Sequence, residues 1–264
     1  MLAVRSRWTQ IFAVVFALLA LAVASSGYVL SGGHGVQDFA RTAASLVQLV
    51  LLLVPLTSLL IGVLSLAPDR GAAELLFSQP VSRRAILLGK LLGLFEALVA
   101  AQALGFGVAG LVVFSQSGNE GLSAFLILGA ASAMLTAIFL SLAALLAATA
   151  IGRRRTRALA LALVVWFVAV VLFDVAALGL ASLLPSGPAS RVLIVAVLVN
   201  PVDAVRTAAL LGIEGAAAFG AASLAFLRFT KGPWGAATLL CLSLFLWIAG
   251  PTLGAIRRLQ RTDV

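Results

Sequence analysis

Apolar residues run along this chain in long uninterrupted stretches, with polar residues clustered in short segments between them. A helix needs about 20 residues to cross a hydrocarbon core about 30 Å thick. Six stretches reach that length, near 8–30, 46–67, 85–114, 122–150, 158–184 and 235–256. Several exceed the minimum and predict helices that tilt or project from the bilayer. Breaks at Gly32–Gly33 and Gly35, Pro68–Gly71, Ser115–Gly121 and Pro185–Gly187–Pro188 mark the connections. A transmembrane barrel would alternate apolar and polar positions over segments of about ten residues, and these runs do not alternate. The expected fold is a single all-α polytopic membrane domain over 1–264, with six transmembrane helices.

Two segments read ambiguously. Residues 1–24 imitate a signal peptide, with Arg5 and Arg7, an apolar run from Ile11, and Ala22-Val23-Ala24 before Ser25. Every later loop fits an uncleaved first helix, which is the reading adopted. In 186–231, the apolar part of Arg191–Asn200 stops at Pro201 and is too short to span, whereas Thr207–Leu227 is long enough but carries Glu214, Gly212, Gly215 and Gly220. A seventh span there would also move Arg257, Arg258 and Arg261 to the other side. The segment is therefore expected to form short helices on the outer side, some dipping into the membrane surface.

Composition supports the same class. The chain is 62% hydrophobic and 10% charged, against about 45–50% and about 25% in soluble domains. That excess of apolar surface excludes disorder and a single soluble core. The net charge of +9 suggests nucleic acid until the basic residues are placed on the loops. With the N-terminus inside, 13 of the 18 Lys and Arg lie on the cytoplasmic side, and the 5 outside are Arg41, Arg191, Arg206, Arg228 and Lys231. The charge is topological, both termini are expected inside, and no nucleic-acid partner is expected. One cysteine, Cys241, and one histidine, His34, exclude an internal disulfide, a thiolate cluster and a multi-His site. No metal site is expected.

Enzyme motifs fail. There is no Gly-x4-Gly-Lys-Ser/Thr loop for a nucleotide. Gly105-Phe106-Gly107-Val108-Ala109-Gly110 matches a dinucleotide pattern but lies in a membrane span. It reads instead as a close-packing face, as does Gly89-x3-Gly93. Gln102, Ser132, Thr136 and Ser141 are expected to bond within their own helices. Met134 reads as core packing, and Met134 with Cys241 makes no copper path. Glu96 is read at the cytoplasmic mouth, above Lys90. Asp174, toward the outer end of its span, has two open readings: it lines a pathway or dimer seam, or it pairs with Arg191 or Arg206 as a structural clamp. No catalytic residue is assigned.

Two segments stand out. In 68–84, Ala72–Gln79 can form about two helical turns carrying Leu75, Leu76 and Phe77, with Glu74 near the start, where a helix N-terminus favours acids. Pro80 ends that piece and Ser82 can cap the next helix. Exposed Leu and Phe on a cytoplasmic loop suggest a docking surface, the alternative being contact with the membrane interface. In Asn200-Pro201-Val202-Asp203-Ala204-Val205-Arg206, Asn200 ends one element, and Asp203 and Arg206 can pair at i,i+3 on the next.

The run Arg70-Gly71…Glu74-Leu75-Leu76…Gln79-Pro80-Val81-Ser82-Arg83…Leu87-Leu88-Gly89-Lys90 resembles the loop between spans two and three of type-2 ABC transporter permeases. Ala72 stands where that family often has Thr, and Asp69 serves as the acid before Arg70. Leu51-Leu52-Leu53-Val54-Pro55-Leu56, the Gln79-Pro80-Val81-Ser82-Arg83 loop, Phe173-Asp174 and the Asn200–Arg206 run together resemble the branch that serves copper-site maturation of nitrous oxide reductase.

The resemblance implies that Arg70, Gly71, Glu74, Leu75, Leu76, Phe77, Gln79 and Pro80 form a coupling helix that seats in a separate ABC ATPase. It implies two copies of this chain, two ATPase subunits holding the ATP and Mg²⁺, an extracytoplasmic partner, and a bacterial inner membrane as the setting. It makes Asp174, Asn200, Pro201, Asp203 and Arg206 candidates for an outer gate or partner contact. A second reading keeps the same fold for an exporter of a lipid, drug or haem-like solute. A membrane enzyme is disfavoured because Asp174 and Glu96 lie on different helices at different depths.

Overall fold

The computed structural model describes residues 10–11, 14–15, 18–19, 35–67, 82–117, 122–149, 155–214 and 226–261, and every regular element among them is helical. In chain order these are α1 (Gly35–Leu66), α2 (Arg83–Ser117), α3 (Leu122–Thr149) and α4 (Arg155–Phe167). A π-helical segment (Val168–Leu172) then leads into α5 (Phe173–Ser182). After it come α6 (Ser186–Val199), α7 (Pro201–Glu214) and α8 (Pro233–Arg261). Five stretches are long and apolar enough to span: Leu46–Leu66, Arg83–Gly107, Ser123–Thr149, Thr156–Ser182 and Pro233–Arg261. Most of the expected first span and most of the 68–84 segment lie outside the described residues.

α3 is the central helix, packed against α1, α2, α7 and α8. Its inward face carries Leu135, Ile138, Phe139 and Ala143, all fully buried. The seam with α1 is tight. A Cβ added at Gly62 would stand 2.5 Å from Ala143 Cβ, and Ser58, one turn earlier, is also fully buried. Small residues let two membrane helices approach until their backbones nearly touch. Three of the glycines singled out in the sequence do not do this within the chain: a Cβ at Gly89, Gly93 or Gly107 would meet nothing within 4 Å. The expectation of close packing there is corrected, because a small-residue spacing says that a face can be approached, not that a neighbour arrives.

The polar residues of the spans join helices more than expected. Gln102 Nε2 on α2 donates to Thr136 Oγ1 on α3 at 2.9 Å, and Ser132 Oγ donates to Gln102 Oε1 at 2.7 Å. Ser141 Oγ bonds its own helix at Ile138 O and also donates to Trp247 O on α8 at 3.0 Å. The expectation of bonding only within each helix is thus corrected for Gln102 and Ser132, and in part for Thr136 and Ser141. Hydrocarbon offers no other partner to a buried amide, so it crosses to the neighbouring helix. Pro251, which has no N–H, cannot donate to Trp247 four residues back, and Ser141 supplies the missing donor.

α6 and α7 bend by 99° at Asn200–Pro201. The short 118–121 and 150–154 connections place the start of α3 on the same side of the bundle as the end of α5. α6 leaves from that side at Ser186, and α7 returns toward it, its Gly212 against Ile127 near the start of α3. Between these ends, Asn200 Nδ2 bonds Ala169 O. Ala169 lies thirteen residues into Thr156–Ser182, or about 20 Å along a helix at about 1.5 Å per residue. The pair is a re-entrant helical hairpin whose apex reaches mid-bundle, deeper than the surface dip expected for 186–231. Neighbouring helices make this depth tolerable by pairing the backbone groups that the bend frees.

Candidate functional site

The apex builds its own charged cluster. Asn200 ends α6 in an extended conformation (φ −93°, ψ 119°), and Pro201 occupies the first helical position of α7, where its missing N–H costs nothing. Asn200 Oδ1 accepts from Val202 N–H at 3.1 Å, and Asn200 O accepts from Ala204 N–H at 3.0 Å, starting the new helix. The turn-and-cap reading of this run is realised.

The same Asn200 amide reaches outward. Its Nδ2 donates to Ala169 O at 2.8 Å and to Asp203 Oδ2 at 3.1 Å. Ala169 lies in the π-helical segment, where Phe173 N–H bonds back to Val168 O and so does not serve Ala169 O. Asn200 donates to that carbonyl from another helix. A π segment re-registers the helix that follows it, and here it sets the direction of Asp174 on the first turn of α5.

Arg206, one turn after Asp203, closes the cluster. Its Nη1 lies 2.9 Å from Asp203 Oδ1 and 2.9 Å from Asp174 Oδ2. Both carboxylates bond one nitrogen, so they are no farther apart than two hydrogen-bond lengths. Asp203 is 8% exposed and Asn200 2%, whereas Asp174 and Arg206 keep about a quarter of their side chains accessible (26% and 27%). Of the two open readings of Asp174, the pairing with Arg206 is present. The cluster has two acids and one base, and clamps the hairpin apex to the α4–α5 span.

A second contact lies at the opposite end of the bundle. Ser82 Oγ accepts from Ala85 N–H at 3.3 Å, the cap expected for α2. The next residue, Arg83, donates through Nη1 to Leu259 O at 2.9 Å. Leu259 sits in the last turn of α8, where carbonyls lack helical donors and a cation is favoured. The end of the 68–84 segment is thereby tied to the end of the last span. Between the two ends, Ser243 Oγ of α8 donates to Leu198 O, a terminal carbonyl of α6, at 2.6 Å.

Asp174, Asn200, Asp203 and Arg206 are thus brought together around Pro201. Arg70, Gly71, Glu74, Leu75, Leu76, Phe77, Gln79 and Pro80 lie outside the described residues. Glu96 is exposed and takes no part in either contact. Sequence reasoning missed the Arg83–Leu259 bond, the π segment and the Ser243–Leu198 bond. Pro251 carried a readable signal for Ser141, since a proline inside a span demands an outside donor, but nothing in Val168–Leu172 announces a π segment.

The sequence model of the ABC-2 family transporter proteins matches residues 2–264. The chain is 34% identical over 229 residues to a protein of Pseudomonas aeruginosa named "Probable ABC transporter permease protein NosY", covering 84% of this chain and 82% of that one. It is 34% identical over 227 residues to the protein of the same name from Stutzerimonas stutzeri, covering 83% and 82%.

Proposed function

This chain belongs to the ABC-2 family of transporter permeases, and from that premise we propose that it couples ATP hydrolysis by a separate ATPase to copper-site assembly of nitrous oxide reductase. Two copies pair with two NosF-like ATPase subunits, which hold the ATP and Mg²⁺, and with a NosD-like periplasmic protein. The complex sits in the bacterial inner membrane with both termini of this chain cytoplasmic. Cysteine labelling from outside is expected to modify a probe at Gly187 and to spare one at Arg154, and the reverse would overturn the orientation.

The observation that carries the coupling is the Arg83–Leu259 bond. A push on the 68–84 segment by the ATPase acts on α2 directly and on α8 through Arg83. α8 holds the re-entrant hairpin at Leu198 through Ser243, and the hairpin holds α5 through Arg206 and Asp174. The chain is a mechanical relay with named joints, from the cytoplasmic end to the outer hairpin that would meet the periplasmic partner.

The test acts on the proposed contact with the ATPase, ahead of the first joint. Leu75→Asp and Phe77→Asp each bury a carboxylate in an apolar contact at a cost of several kcal/mol. They are expected to uncouple ATP hydrolysis from maturation while the chain still inserts, read by ATPase activity of the complex and by the copper-site absorbance of nitrous oxide reductase. Normal co-purification with the ATPase and normal maturation in both variants would refute the coupling helix.

A further inference from the structure

We propose that the groove between α6 and α8 holds an acyl chain of one anionic phospholipid, whose phosphate sits among Arg191, Arg228 and Lys231. The groove has a volume of about 460 Å³ and is walled by Leu198 on α6 and by Leu239, Leu242, Leu246, Trp247 and Pro251 on α8. The polar residue there, Ser243, is engaged with Leu198 O, so the wall presents carbon. From Leu239 to Pro251 is twelve residues, about 18 Å at about 1.5 Å per residue. Half of a hydrocarbon core about 30 Å thick is a similar length, so the groove can take one acyl chain along its wall.

Its upper end is set by the chain's own interface markers. Trp234 is 85% exposed and Phe229 61%, on either side of the turn into α8. Such aromatics mark headgroup level. The turn is made by Lys231 (φ 57°) and Gly232 (φ 121°), with Gly232 N–H bonded to Leu227 O at 2.8 Å. It leaves Arg228 and Lys231 exposed beside the first turn of α8. From the other wall, Arg191 lies seven residues before Leu198 and shares its face of α6, also exposed.

Charge selects the occupant. Neither 186–199 nor 226–261 contains an Asp or Glu, so Arg191, Arg228 and Lys231, near the starts of α6 and α8, have no acid on either segment. A second copy meeting this face by two-fold symmetry would bring three more cations to the same level. A phosphodiester brings a negative charge instead, favoured by roughly 1 kcal/mol per basic residue near a membrane surface.

The test uses the full chain with its ATPase partner, purified in mild detergent and examined by native mass spectrometry with added phosphatidylglycerol or phosphatidylcholine. One phosphatidylglycerol per chain is expected to be retained, at least about tenfold over phosphatidylcholine. Leu246→Trp, which fills the groove, is expected to lower retention about tenfold. Joint Arg191→Gln, Arg228→Gln and Lys231→Gln substitution should abolish the preference between the two lipids. Equal retention of both lipids by the unaltered chain, or unchanged retention in Leu246→Trp, would overturn the proposal. A photo-crosslinking residue at Leu242, which is 54% exposed, provides a measurement independent of those variants. Adducts to phospholipid are expected, and adducts to a second copy of the chain would refute the assignment.

Discussion

Arg206→Ala is expected to destabilise the purified protein more than any other single change at the hairpin apex. Arg206 Nη1 holds Asp174 and Asp203 together, and its removal leaves two adjoining carboxylates with no cation between them. Breaking a buried pair by removing one partner costs about 3–5 kcal/mol, and the partial exposure of Asp174 and Arg206 puts this case at about 3. Asp174→Asn is the instructive contrast. It keeps shape and an acceptor oxygen for Arg206, so a loss of about 1 kcal/mol or less is expected.

The two changes are coupled through one nitrogen and should not add. Placing Asp174→Asn on Arg206→Ala removes one of the two repelling acids, so the double variant is expected to be more stable than Arg206→Ala alone. Thermal unfolding of the complex in detergent measures all three. If Arg206→Ala proves no worse than Asp174→Asn, the clamp is not what holds the apex. Maturation in cells separates structure from conduction. A clamp tolerates Asp174→Asn in part, whereas loss of maturation with normal assembly would make Asp174 a member of the working pathway.

Hydropathy made the described spans readable because hydrocarbon imposes a one-dimensional rule on each residue. The expected 122–150 is α3 (Leu122–Thr149), and the expected 46–67 matches the apolar Leu46–Leu66 of α1. The hairpin was harder. Its α6 is too short to cross, and hydropathy does not tell a surface helix from one lowered between neighbours. Its depth depends on contacts distant in sequence, Asn200 with Ala169 and Ser243 with Leu198. The Asn200–Arg206 run was legible as a cap and an i,i+3 pair because both are local. The third member, Asp174, had two readings, and its pairing with Arg206 depends on a contact 32 residues distant in sequence. Arg83 looked like another cytoplasmic charge, since nothing local indicates that its guanidinium reaches the end of α8.

The α1–α3 seam shows the same limit and gives the other large expected effect. Gly62 lies in an unremarkable apolar run, yet a Cβ there would stand 2.5 Å from Ala143 Cβ and 3.1 Å from Leu140 Cδ2. Ala143 Cβ is fixed to the central helix and cannot swing aside, so even a methyl group forces α1 and α3 apart. Gly62→Ala is expected to cost about 2 kcal/mol by overpacking. Gly62→Leu should prevent the seam from closing and abolish recovery of a monodisperse protein. Gly89→Ala is the control, because its Cβ meets nothing within 4 Å and alanine in a helix is favoured over glycine by roughly 0.5–1 kcal/mol. The measurement is the melting temperature of each variant beside its yield after size-exclusion chromatography. If Gly62→Ala and Gly89→Ala melt alike, α1 does not approach α3 as closely as the Gly62–Ala143 geometry requires. The hydrophobic seam would then have to close through the larger side chains, Leu59 and Val63 against Ile138 and Phe139.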